Sequence, residues 1–220
     1  MAKNNAIDNK SQELTIDPGA SGDSFVQFDI NATGEFRIGV DDDDSDAFKI
    51  SQGSALGTND TFIMTSVGER TMPLQPAFLG ILETTDSNAT GDGTQFKIGT
   101  GNALTEIFDQ SSDFTTAGVF TAPVDGIYHF FCWTRYSGIT SSHTDGDIIV
   151  RAGPSYIGFQ FNSTAIANVS DIVALSFSVI ADLDVSDTAT FEIRIKNGTK
   201  VVDIVGSSTA GTGVAGFLIT

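Results

Sequence analysis

The most informative stretch of this chain is Phe114-Thr-Thr-Ala-Gly118-Val-Phe120-Thr-Ala-Pro123-Val-Asp-Gly126-Ile-Tyr128-His-Phe130-Phe131. Its aromatic and β-branched residues predict two strands. Pro123 and Gly126 predict a tight turn between them, because proline fixes φ and glycine tolerates backbone conformations closed to other residues. The stretch therefore indicates an antiparallel β-protein.

The second of these strands is apolar on both faces. Side chains alternate along a strand, so its residues divide into two sets that point in opposite directions. The first set is Tyr128, Phe130 and Cys132, and the second is Ile127, His129, Phe131 and Trp133. An antiparallel sheet commonly has one solvated face. We therefore expect one set to fill a sandwich core and the other to meet a neighbouring subunit.

This pattern resembles the globular head shared by complement component 1q and the tumour necrosis factor superfamily. The residues that carry the resemblance are Phe114, Gly118, Phe120, Pro123, Gly126, Tyr128 and Phe130, with Gly216-Phe217-Leu218 near the C-terminus. The resemblance extends from about Leu74 to the C-terminus. It implies an all-β fold, a jelly-roll sandwich of about ten strands that assembles as a tight homotrimer.

Short β-like units separated by turns precede this head. Phe36-Arg-Ile38, Phe48-Lys-Ile50 and Phe96-Lys-Ile98 repeat one alternation that places Phe and Ile on one face and a cation on the other. The first two repeats lie in or beside the stretch from Gly39 to Phe62, which resembles the β-repeat shafts of bacteriophage tail and head fibres.

A single layer of such strands cannot cover its own apolar face, and three chains around an axis would cover it. We therefore expect a set of apolar residues to lie in the trimer interface or core. These residues are Phe36, Ile38, Phe48 and Ile50 in the shaft, and His129, Phe131, Trp133 and Phe217 in the head.

The chain is expected to have three parts. Met72-Pro73-Leu-Gln-Pro76 predicts a stiff, extended joint because prolines restrict themselves and the residues before them. We assign residues 1–22 to a flexible arm that attaches to the virion, 23–72 to a β-repeat shaft, and 73–220 to the jelly-roll head.

Charge and composition limit the partners. The 11 basic and 28 acidic residues give a net charge of −17, which repels phosphate backbones and anionic lipid surfaces. No apolar run reaches the roughly 18 residues of a membrane-spanning helix. We therefore expect neither nucleic acid nor membrane as a partner.

The single cysteine, Cys132, rules out an intrachain disulfide, and its role stays open. The first residues lack the apolar core of a secretion signal, so assembly is expected in a host cytoplasm and the final location is the virion.

Some patterns in this sequence are typical of enzymes, but they lack the structural surroundings that the chemistry needs. We therefore expect no catalytic residue. The glycines of 211–216 precede a strand rather than a helix, so they do not predict nucleotide binding. His143 shares one loop with Ser141, Ser142 and Asp145, whereas a triad needs fixed geometry.

No cofactor is expected, with calcium as the open alternative. Asp42, Asp44 and Asp46 have the alternate spacing of a calcium loop without its glycine. Asp145 and Asp147 are the candidate ligands, because the resemblance implies calcium near the head apex in some relatives.

The predicted function is that of a trimeric head or tail fibre, a structural virion protein and not an enzyme. The N-terminal arm would bind other virion proteins, and the head would bind a host-surface glycan or protein. Loops 136–146, 154–157 and 206–213 are candidate contacts, with Tyr136 and Tyr156 as the receptor-contact aromatics. Three alternatives stay open: a capsid decoration protein that stabilises the shell, a complement-like ligand module, and a polysaccharide-degrading spike.

Overall fold

The structure is a computed structural model that describes residues 15–19, 21–29, 36–209 and 211–220. Most of the predicted N-terminal arm, residues 1–14 and 20, lies outside the described residues. The chain forms two compact units that divide between Leu74 and Gln75.

The first unit is one antiparallel sheet of five strands in the order β1-β2-β3-β4-β5. Its strands are β1 (Ser24–Phe28), β2 (Phe36–Asp41), β3 (Ala47–Gln52), β4 (Asp60–Met64) and β5 (Arg70–Thr71). Sequential strands pair with their neighbours, as expected where Gly, Asn and Asp turns separate short apolar runs.

The second unit is a sandwich of two antiparallel sheets. The seven-stranded sheet contains β6 (Ala77–Ile81), β7 (Asp86–Thr90), β9 (Thr105–Asp109), β12 (Gly126–Ser137), β15 (Val173–Leu183), β17 (Val202–Ile204) and β18 (Gly213–Leu218). The six-stranded sheet contains β8 (Gln95–Lys97), β10 (Phe114–Thr115), β11 (Val119–Thr121), β13 (Asp145–Ala152), β14 (Ser155–Phe161) and β16 (Thr188–Lys196). The chain crosses repeatedly between the sheets, so this unit is a jelly-roll sandwich, and the all-β prediction is confirmed.

One helical turn interrupts the strands of the sandwich. The helix α1 (Ser163–Ile166) begins at Asn162, whose side chain accepts a hydrogen bond from the Ala165 backbone N–H. Within the part of the chain that the structure describes, there is no helix with the length and apolar character needed to traverse a lipid bilayer.

The stretch quoted first forms the β10–β11 hairpin and the start of β12. Gly118 has φ +70°, and a Cβ there would lie 2.1 Å from the Ile98 carbonyl oxygen, so only glycine fits. Pro123 is half-buried in the turn before Gly126, where β12 begins.

An aromatic cluster forms the core between the sheets. The Phe78 ring stacks on Phe114 at 4.3 Å between centroids and on Phe120 at 5.2 Å. Phe120 also contacts Phe130 at 5.5 Å and Tyr128 at 5.3 Å. Gly216 leaves room for this cluster, since a Cβ there would lie 2.6 Å from the Phe78 ring. Four of the residues that carry the resemblance thus lie in the core of the head: Phe114, Phe120, Tyr128 and Phe130.

Candidate assembly surfaces

Strand β12 has two different environments on its two faces. Tyr128, Phe130 and Cys132 point into the sandwich and are fully buried. Ile127, His129, Phe131 and Trp133 point outward from the seven-stranded sheet and keep solvent-exposed surface. Hydrogen-bonded neighbours extend this outward surface across the sheet.

Two rows of apolar side chains cross the outside of the seven-stranded sheet. The first row runs from Phe108 through Leu79 and Ala215 to Phe131. The second runs from Ala77 through Phe217 and His129 to Ile180. Phe131 is 37% exposed, Phe108 and Phe217 are each 48% exposed, and Ile180 is 63% exposed. We call this surface, together with Trp133, the head face. Apolar patches of this kind mark interaction sites on soluble proteins.

Local packing holds the aromatic residues of the head face in place. The His129 and Phe217 rings meet edge to face with centroids 5.2 Å apart, and Phe131 lies 5.7 Å from Trp133. Gly213 allows the Trp133 indole to lie against β18, because a Cβ at residue 213 would come within 2.1 Å of the ring. The face is therefore a preformed surface carried by a rigid sheet.

A second apolar surface lies where the sandwich opens between the edge strands β14 and β15. The Phe159 ring stacks near Phe161, with centroids 6.2 Å apart, and near Phe177, at 6.3 Å. Phe159 is opposite the core residue Ile148, yet it is 46% exposed because β14 is an edge strand. We call these three residues the edge seam. No local sequence signal marks these three residues as a surface, because long-range pairing decides which strands lie at a sheet edge.

The predicted shaft residues all lie on one face of the five-stranded sheet. Ile38 pairs with Ile50, and Phe48 is on the same side two residues away. Phe36 is 44% exposed, and the other three are partly exposed.

The opposite face of this sheet carries a buried lysine. Lys49 is ion-paired with Asp41 at 2.8 Å, Asp44 at 2.6 Å and Asp60 at 3.3 Å. Burial lowers the pKa of Lys49, but the hydrogen bonds to these carboxylates outweigh burial and hold the pKa above its usual value. The ion pairs are therefore a fixed part of the fold.

Asp145 and Asp147, the predicted metal ligands, face cations of the neighbouring strand β16. Lys196 Nζ lies 2.8 Å from Asp145 and 3.1 Å from Asp147, and Arg194 lies 2.6 Å from Asp147. The hydrogen bond from Lys196 holds the pKa of Asp145 below its usual range. The strand register brings these charges together, and the two carboxylates are already neutralised by protein side chains.

A further group of carboxylates lies near the start of the first sheet. One oxygen each of Asp23, Asp41 and Asp42 lies within 4.8 Å of the other two. Asp41 already binds Lys49, and the Asp23 carboxylate accepts the Asp42 backbone N–H. Burial raises the pKa of Asp23. Asp44 is one of the three aspartates with the alternate spacing of a calcium loop. It forms an ion pair with Lys49 and is not in this carboxylate group.

The two predicted receptor-contact tyrosines have opposite environments. Tyr136 is fully buried and stacks on Phe161 with centroids 6.0 Å apart, so the prediction that it contacts a receptor is wrong. Strand β12 continues to Ser137, and its alternation places Tyr136 on the core face. Tyr156 is 49% exposed, and the Arg151 guanidinium lies 4.7 Å from its ring centroid.

His143 connects its own loop to helix α1 and to the loop before β17. Its Nδ1 accepts the Thr140 backbone N–H at 2.9 Å, so Nε2 carries the proton and donates it to the Thr199 carbonyl at 3.0 Å. Ser163 and Thr164 donate hydroxyl hydrogen bonds to the His143 carbonyl. The imidazole therefore has a structural role in the loop that was predicted to make contacts.

Comparisons with known proteins give low-identity structural matches. A scan against protein-family models found no match, and a search of curated proteins also found none. Among solved structures, the globular domain of zebrafish complement 1qA is 20% identical, with 66% of this chain and 98% of that chain covered and a TM-score of 0.44. Murine APRIL is 13% identical, with coverages of 66% and 99% and a TM-score of 0.44.

The PRD1 vertex protein P5 is a third match. It is 11% identical, with 67% of this chain and 99% of that chain covered and a TM-score of 0.47. The identities are 20% or lower and the TM-scores are below 0.5. The jelly-roll fold therefore rests on the strand order of this chain's own two sheets.

Proposed function

We propose that this chain is a structural virion protein, a homotrimeric fibre that displays its jelly-roll head for attachment to a host surface. The observation that carries the proposal is the head face, an apolar surface on a strand whose other side already fills the core. A chain with a net charge of −17 has no shortage of polar residues with which to cover such a surface. An apolar head face on so acidic a chain supports a permanent protein partner.

A homotrimer would bury the head face and the edge seam in the same contact. The two surfaces lie on different parts of the head, so one copy can offer its face to the seam of the next. Such a head-to-tail contact either closes into a ring or grows into a filament. Closure at three copies is what the family resemblance implies, and aromatic surfaces of this kind form the centre of stable interfaces.

The virion assignment is supported by the order of the parts. The residues from Gly39 to Phe62 resemble fibre shafts, and a sheet of short strands is found there, followed along the chain by the sandwich. The N-terminal arm would then bind other virion proteins.

Attachment would depend on avidity rather than on catalysis. Three identical heads, with many fibres on each particle, turn weak contacts into useful binding. Tyr156 supports a role for the neighbouring loop, because its exposed ring and the adjacent Arg151 cation suit a glycan or a polar protein surface. The proposal includes no enzymatic activity.

The test compares binding of the purified protein with host cells and with empty capsids. We expect binding to cells, weakened at least about tenfold by Tyr156→Ala, the loss of one good contact repeated in three heads. Thr115→Ala, at an exposed position of β10, the strand at the other edge of the six-stranded sheet, is the matched control. Binding to capsids without binding to cells would replace this function with shell decoration. Release of sugar from host polysaccharide would instead indicate an enzyme.

A further inference from the structure

The outward face of the six-stranded sheet differs in charge from the rest of the chain. In β13 the even-numbered residues from 148 to 152 lie in the core, so the odd-numbered ones point outward. Across the paired strands this face carries four of the chain's 11 basic residues: Lys97, Arg151, Arg194 and Lys196. It carries three of the 28 acidic residues: Asp145, Asp147 and Glu192. We call this surface the charged face. Cations outnumber carboxylates there, although the whole chain has a net charge of −17.

The cations of the charged face are more exposed than the carboxylates that bind them. The Glu192 side chain is 11% exposed, whereas the Arg151 side chain paired with it is 47% exposed. Asp147 and its partner Arg194 differ in the same direction. A ligand therefore meets the guanidinium groups before it meets the carboxylates. The carboxylates also fix these groups in position, so that little side-chain entropy remains to be lost on binding.

Arg151 keeps hydrogen-bonding groups for a ligand. Its Nε donates to both carboxylate oxygens of Glu192, each at 2.9 Å. The Gln95 side-chain amide donates to the same carboxylate and steadies it from the other side. Among the described residues, the side-chain hydrogen bonds of Arg151 use Nε alone, whereas Arg194 contacts Asp147 through both Nε and Nη2. The two terminal NH2 groups of Arg151 are thus left to bind an anion, and such a pair matches a carboxylate.

Tyr156 provides an aromatic surface beside this guanidinium. The Arg151 Cζ lies 4.7 Å from the centroid of the ring, which is still half exposed. Gly158 has no side chain to occupy the outward surface opposite Ile149, and Tyr156 Cε1 lies 3.8 Å from the position a Cβ would take there. The ring is therefore supported by the strand and open to a ligand. The C–H face of a sugar packs well on such a ring, while its hydroxyl groups stay in contact with water and polar side chains.

We infer that Tyr156 and Arg151 form a binding site for a sugar that carries a carboxylate, with the sugar ring on Tyr156 and the carboxylate on the terminal NH2 groups of Arg151. The inference deepens the proposed attachment function and rests on it, because it assigns the host ligand to one class, an acidic sugar at the end of a surface glycan. A long polyanion is disfavoured. It would extend beyond the Debye length of about 10 Å and be repelled by the acidic remainder of the chain.

Titration of the full chain with two matched sugars tests the inference. One is an oligosaccharide that ends in glucuronic acid, and the other ends in glucose and so differs in the carboxylate alone. Ligand-observed nuclear magnetic resonance gives both dissociation constants. We expect the acidic sugar to bind about fivefold tighter or more, as for an exposed ion pair strengthened by pre-positioned donors. Tyr156→Ala should weaken the binding of both sugars.

A double variant tests the role of Arg151. Arg151→Gln combined with Glu192→Gln keeps the net charge and leaves no buried carboxylate unpaired, and the two sugars should then bind equally. Lys196→Gln with Asp145→Asn is the matched control, because it neutralises another ion pair of the charged face about 20 Å away along β13. This control should keep the preference for the acidic sugar. Near-ultraviolet circular dichroism checks that each variant retains the core.

The outcomes separate this inference from the proposed function. Equal binding of both sugars by the unaltered chain overturns the inference, and attachment stands if the protein still binds host cells. A preference for the acidic sugar that survives in the Arg151→Gln, Glu192→Gln variant also overturns it. A glutamate peptide that binds as tightly as the acidic sugar would show that charge alone governs binding, and it would overturn the sugar site. Binding of the acidic sugar by a protein that ignores host cells supports the site and overturns the attachment function instead.

Discussion

Phe131→Asp tests the head face most sharply, because its side chain points away from the core. Phe131 is 37% exposed in the isolated chain, so about 70 Å² of the roughly 200 Å² of a phenylalanine side chain remains to be buried by a partner. At about 25 cal/mol per Å², this burial contributes about 2 kcal/mol per subunit. Three equivalent sites contribute about 5 to 6 kcal/mol, or about four decades in the trimer dissociation constant.

The aspartate adds a desolvation cost in the same direction, because it brings three further negative charges into the interface. We expect trimers of the unaltered protein at micromolar concentration and monomers of Phe131→Asp, measured by sedimentation equilibrium across a dilution series. Thr188→Asp, which adds the same charge at an exposed position of the six-stranded sheet, should remain trimeric. Near-ultraviolet circular dichroism checks that the core is intact. Trimers of unchanged affinity in Phe131→Asp would refute the interface.

Three further changes follow from the same structure. Phe130→Ala, one residue along on the core face, should lower the free energy of unfolding of the head by about 3 to 5 kcal/mol in a chemical denaturation, with Phe131→Ala far milder in the monomer; equal effects would contradict the two-faced strand. Lys49→Met should destabilise the five-stranded sheet by about 3 to 5 kcal/mol, because it strands the Asp41 carboxylate in a buried site; unchanged hydrogen exchange in β3 would show that the ion pairs are dispensable. Burial, and then a neighbouring carboxylate, raises the pKa of Asp113 to about 6. The folded state therefore favours the protonated acid, and head stability should rise as the pH falls from 7 through 6 towards 4. Asp113→Asn should remove that part of the pH dependence, and an identical melting-temperature profile from pH 4 to 8 would argue against it.

The fold was predictable from sequence because its signals are local. Alternation of residues 127–133 indicates two faces on one strand, and Pro123 and Gly126 indicate the turn before it. The fate of each face was also accessible, since residues of one parity fill the core. The same alternation, continued three residues past Trp133, places Tyr136 inside, but a contact loop was expected to begin at that residue.

Several features of the candidate surfaces depend on long-range register, which a single sequence does not reveal. Asp145 and Asp147 form ion pairs because β16 lies beside β13. No sequence pattern near these two residues indicates that Lys196 lies opposite them. Phe159 is exposed because β14 is an edge strand. The burial of Lys49 was equally hidden, although the alternation of Phe48, Lys49 and Ile50 correctly separates apolar residues from the cation.

The most direct test of the central claim is the mass of the purified chain in solution. One copy has a mass of 23.1 kDa, and three copies have a mass of about 69 kDa, as a closed three-fold ring requires. Light scattering coupled to size exclusion at micromolar concentration should give the larger value. A well-folded species of 23.1 kDa that stays soluble and heat-resistant on dilution would contradict the account.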